Sequence, residues 1–173
     1  MRTFAQLISL GPAPFVLLSN GSTFQLDQAI PTWREAGLVV RQVRGRKMRS
    51  LNSLYDEFAA AFQFPLYFGE NSNALEDLLT ELTWMDISKG LVIVITEPEQ
   101  LLANENAAEE VPELIELLVR AKEYWNSSAD IGEGWQRPAA PTPFSIVLGQ
   151  TRDPEAVRSM WELHGAMTGT VIF

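Results

Sequence analysis

Apolar positions along this chain come in two rhythms. Short runs at residues 15–18 (FVLL), 38–43 (LVVRQV), 91–95 (LVIVI) and 144–148 (FSIVL) have the length of strands. The run at 91–95 is apolar throughout and mostly β-branched, as expected of a central strand covered on both faces. The segments between repeat at about 3.6 residues, the period of an amphipathic helix. Residues 51–62 place Leu51, Leu54, Tyr55, Phe58 and Phe62 on one face, with Ser50 or Ser53 as cap and Phe64-Pro65 as the stop. Residues 72–82 turn Ala74, Leu75, Leu78, Leu79 and Leu82 inward, with Asn71 or Ser72 as cap. Their other side carries Glu70, Asn73, Glu76, Asp77 and Glu81, of which Asn73, Asp77 and Glu81 stand four apart on one line. A third helix over 112–124 has Leu114, Ile115, Leu117, Leu118 and Ala121 inward.

Strands separated by helices imply an α/β fold with a small parallel sheet flanked by helices. The order from 38 to 149 is β-α-α-β-α-β. Residues 1–37 add a strand and a helix over 25–36, with a kink expected at Pro31. Residues 150–173 add a helix opened by Asp153-Pro154 and a short edge strand over 170–173. Between the last core helix and strand, 126–143 is rich in Pro, Gly and Ser and reads as a long loop. With 46% hydrophobic side chains in 173 residues, the chain can bury a sizeable core without cross-links. It has no Cys, which excludes disulfides and thiolate chemistry and fits a cytoplasmic protein. Gly11-Pro12 and Pro14 interrupt the apolar start, so no export signal is expected, and no apolar run is long enough to span a bilayer.

The net charge of −9 is unevenly spread. Glu70 to Glu123 holds 13 acidic and 3 basic residues, so the acidity belongs to the middle of the chain. Such a surface repels nucleic acid and draws in basic partners, unless it serves only to keep the protein in solution. Arg41, Arg44, Arg46, Lys47 and Arg49 form the one basic cluster. Without interleaved aromatics it suits a charge-protected edge strand and turn better than an RNA platform.

Catalytic constellations are missing. The single His, His164, has no nucleophile elbow to serve, and there is no Walker loop, G-x-G-x-x-G or metal-spaced His pair. Glu76 and Asp77 are adjacent, so they diverge by about 100° around a helix and do not pair as acid and base. No cofactor or metal is implied.

One stretch carries more. Pro65-Leu-Tyr-Phe-Gly-Glu-Asn71, followed by Asn73-Ala-Leu-Glu-Asp77, resembles the loop and helix of the barstar family, inhibitors of the ribonuclease barnase. The resemblance spans roughly 38–149, and it implies a three-layer barstar-like fold with extra N- and C-terminal elements. It also implies a partner, a basic ribonuclease or nuclease toxin, whose active site the loop and helix would plug. Asp77 would then occupy the place of a substrate phosphate, and Tyr67 would be the loop aromatic. The expected contact residues are Tyr67, Phe68, Gly69, Asn71, Asn73, Glu76, Asp77 and Glu81, with Glu113 and Glu116 on the next helix. The sequence departs from the family's prototype at Asn73 (Asp there), Glu76 (Trp there) and, aligned on Ala121-Lys122, at Arg120 (Glu there). The other reading is an interaction module of the same fold that binds a basic partner without inhibiting a nuclease.

Overall fold

The structure, a computed structural model, describes residues 2–127, 140–171 and 173. The chain runs α1 (Arg2–Leu7), β1 (Val16–Ser19), α2 (Thr23–Glu35), β2 (Val39–Arg44), α3 (Leu51–Phe62), α4 (Ser72–Glu81), β3 (Leu91–Thr96), α5 (Ala107–Asn126), β4 (Phe144–Leu148), α6 (Pro154–Leu163) and β5 (Thr168–Val171). The strands form one parallel sheet in the order β2-β3-β4-β1-β5. The N-terminal strand is therefore internal: Leu17 pairs with Val147 on one side and Gly169 on the other.

Alternation along the strands feeds two cores. Val16, Leu18, Val43, Ile93, Ile95, Ile146 and Leu148 face α3, α4, α5 and α6, whose buried residues include Phe58, Phe62, Leu75, Leu79, Ile115, Leu118 and Trp161. Leu17, Val40, Val92, Val94, Val147 and Val171 face the other way, onto Leu7 of α1 and Leu26, Ile30 and Trp33 of α2. Helices on both faces of a parallel sheet make the three layers expected.

The elements differ from expectation mainly at their ends. The short helix α1 lies within a run too brief for a readable period. Ser22 caps α2 with a reciprocal Gln25 bond, and the helix continues through Pro31 because Leu26, Ile30 and Trp33 must all reach the sheet. α5 begins at Ala107, ahead of Pro112, and β5 starts two residues before the expected strand. The expected loop over 126–143 falls mostly outside the described residues.

β2 is an edge strand, and charge protects it. Arg34 donates to the Val40 carbonyl at 3.3 Å. Glu57 accepts the Arg44 backbone N–H at 3.1 Å and its guanidinium at 2.7 and 3.0 Å. Side chains thus occupy hydrogen-bonding groups that would otherwise invite another strand.

Candidate functional site

The loop between α3 and α4 is fastened from below. Gln63 ends α3 in the left-handed region, and Trp84 donates its indole N–H to the Phe62 carbonyl at 3.0 Å. Phe68 turns inward, edge-on to Phe64 with ring centroids 5.0 Å apart and to Tyr55 at 6.1 Å. Its backbone N–H closes a turn on the Pro65 carbonyl at 3.0 Å. With Phe68 anchored, the two preceding side chains are thrown outward: Leu66 is fully exposed and Tyr67 is 68% exposed.

Asn71 then starts α4. Its Oδ1 accepts the Ala74 N–H at 2.9 Å, while its Nδ2 donates to the Gly69 carbonyl at 2.9 Å. Both ends of the amide are committed to shaping the loop. Gly69 serves closeness of approach: a Cβ there would lie 3.1 Å from Asn71 Nδ2. The left-handed residue is its neighbour, Glu70, with φ 48°. The left-handed turn of the backbone thus falls one residue after the glycine.

On α4, Leu75 and Leu78 are buried and Ala74 is only half-buried. Asn73, Asp77 and Glu81 are exposed on the outer line. The Tyr67 hydroxyl donates to Glu81 at 3.3 and 3.4 Å, which ties the loop tip to the far end of that line. Desolvation first, and then the Glu81 carboxylate, raise this hydroxyl above its ordinary pKa and keep it a neutral donor. Among the described residues, no hydrogen bond or ion pair reaches the Asp77 carboxylate.

The neighbouring helix completes the face. α5 lies along α4, joined by the Trp125 indole N–H on the Leu79 carbonyl at 2.8 Å. Glu113 and Glu116 are exposed on α5, and Glu116 meets His164 Nδ1 at 3.3 Å. Glu76 is not a free acid. Arg120 reaches it with Nε at 2.9 and 3.1 Å and Nη2 at 2.8 Å. Those hydrogen bonds, with the fields of Glu76, Glu116 and Glu113, raise the guanidinium pKa further. Two contributors escaped the sequence reading. Leu66 had a signal, its place between Pro65 and Tyr67 in the loop. The Glu76–Arg120 pair, 44 positions apart, had none. Among the described residues no group of three or more His, Cys, Asp or Glu could hold a metal ion, and no helix is long and apolar enough to cross a membrane.

A parallel sheet covered on both faces, with a fastened loop and an acidic helix line on one side, defines an α/β domain with one prominent anionic surface. The chain belongs to the Barstar (barnase inhibitor) family, whose sequence profile matches residues 38–137. Among curated proteins none matches. Among solved structures it is similar to Cdc6p from Pyrobaculum aerophilum, with 13% identity and a TM-score of 0.53 over 88% of this chain and 38% of that one. It is also similar to the ORC2 protein of Aeropyrum pernix, solved as ADPNP-ADP complexes, with 15% identity and a TM-score of 0.58 over 98% of this chain and 45% of that one. The chain spans less than half the length of either, and at such identity the likeness is one of fold alone.

Proposed function

We propose that this protein is a cytoplasmic, non-enzymatic inhibitor of a basic ribonuclease or nuclease toxin, acting as an immunity protein. It seats the loop around Tyr67 and the outer line of α4 in the enzyme's active site. The observation that carries this reading is the exposed Asp77 carboxylate, unengaged among the described residues, in the middle of the Asn73–Asp77–Glu81 line. A site that binds phosphodiesters is cationic, and a desolvated carboxylate on a rigid helix can take the place of a phosphate there. Leu66 and Tyr67 supply apolar contact area beside it. Phe68, Gly69 and Asn71 hold the loop in shape, and Glu113 and Glu116 extend the negative field.

The test is co-expression with a basic ribonuclease that the wild type neutralises. Asp77→Ala should fold normally and fail to protect cells or block RNA cleavage at stoichiometric inhibitor. Protection as good as that of the wild type would defeat the phosphate-mimic role. A second reading, an interaction module without inhibition, is favoured by one feature: the carboxylate of Glu76 is already neutralised within the chain. Under that reading a basic partner binds and its activity is untouched.

A further inference from the structure

Resting on the inhibitor reading, we propose that Arg120 determines which nuclease this face accepts. The matched partner is cationic opposite Asp77 but presents a carboxylate or carbonyl acceptor opposite the Arg120 guanidinium. A nuclease whose facing surface is uniformly cationic is rejected. Arg120 is half-exposed, at 49% of its side chain, among Glu76, Glu113 and Glu116. A guanidinium donates five hydrogens in a fixed planar fork. Glu76 uses one edge of that fork, through Nε and Nη2. Nη1 has no partner among the described residues, so the second edge is free to donate.

Arg120 shares a face of α5 with Glu113 and Glu116, spaced three and four residues apart, and reaches across to Glu76 on α4, so a partner that spans from Asp77 to the acids of α5 also covers its guanidinium. Covering an unmet donor edge costs affinity, and setting a partner's Lys or Arg against it costs more. An acceptor opposite Nη1 turns the same contact into a charge-assisted hydrogen bond. Bound to Arg120, the Glu76 carboxylate is neutralised and attracts a partner cation only weakly. Removing Arg120 therefore does two things for a cationic face: it deletes a repulsive charge and releases an acid.

The experiment uses catalytically inactive barnase, the target named in the family's description, as the cationic probe, with affinities read by calorimetry. Arg120→Ala should bind it roughly tenfold or more tighter than the wild type. Arg120→Lys, which keeps the charge, should stay as weak as the wild type, and thermal unfolding should show all variants folded. If Arg120→Ala binds barnase no better than the wild type, or Arg120→Lys gains as much as the alanine variant, Arg120 is not the determinant. Failure of the underlying reading has a different signature. In that case, adding Asp77→Ala to Arg120→Ala would leave barnase binding unchanged.

Discussion

Leu75 and Asp77 are two positions apart on α4 and answer to different forces. Leu75 is 1% exposed inside the core shared by α3, α4 and α5. Leu75→Ala should destabilise the domain by about 2–5 kcal/mol through lost transfer energy and the cavity left behind, measurable by denaturant unfolding. Asp77→Ala should change stability by less than about 0.5 kcal/mol, because the residue is exposed and Ala is the better helix former. Its cost appears on binding, about 2–5 kcal/mol if the carboxylate is desolvated against a partner cation. The cap, narrowed to Asn71 or Ser72, and the outward line of Asn73, Asp77 and Glu81 were legible because both follow from local spacing on one helix. The pairing of Glu76 with Arg120 was not, because it depends on how α4 lies along α5. Which of two adjacent loop aromatics turns inward was equally unreadable. Phe68 is chosen by the ring faces of Phe64 and Tyr55, which meet only in the folded chain.

At the level of elements, the β2 edge and the turn after it are where stability can be probed. Hydrogen bonding from Arg44 holds Glu57 below the usual carboxylate range. A depressed folded pKa gives stability that is fully present above the unfolded value of about 4.3 and is lost as pH falls through the folded one. Glu57→Gln should thus cost about 0.5–1.5 kcal/mol at neutral pH, with Arg44 half-exposed keeping the figure small. Paired urea melts should show the gap between wild type and variant closing as the pH falls below the unfolded carboxylate value of about 4.3. Gly45 follows β2 in one turn of 3-10 helix, and a Cβ there would fall on the backbone carbonyl of Glu97. Gly45→Ala should cost about 1–3 kcal/mol or more, since that backbone cannot step aside, and its thermal midpoint should drop accordingly. β3 and β4 were readable as elements because their runs are apolar almost throughout, as burial on both faces requires. α1 was not, because Arg2–Leu7 is short and its identity depends on Leu7 docking against the sheet.

For the whole molecule, the acidic surface and the sheet order have separate consequences. Association with a basic partner should slow steeply as ionic strength rises, because attraction between exposed charges is screened over about 8–10 Å. Stopped-flow rates unaffected by salt would remove electrostatic steering from the account. Deleting residues 1–37 strips β1 from between β4 and β5 and α2 from its core. The truncated chain should lose cooperative unfolding, although the family match begins only at residue 38. The sequence showed a strand near the N-terminus, but its internal place depends on pairing with partners far along the chain. That placement also sets a clock. Val16 is synthesised well before its register partners, Ile146 and Thr168. Until β4 and β5 have been synthesised, the first strand has nothing to pair with, and closing so distant a contact carries a large entropic barrier. Refolding should accordingly be slow for a chain of this size. Whatever partner this surface meets, it would meet it only after β4 and β5 have emerged.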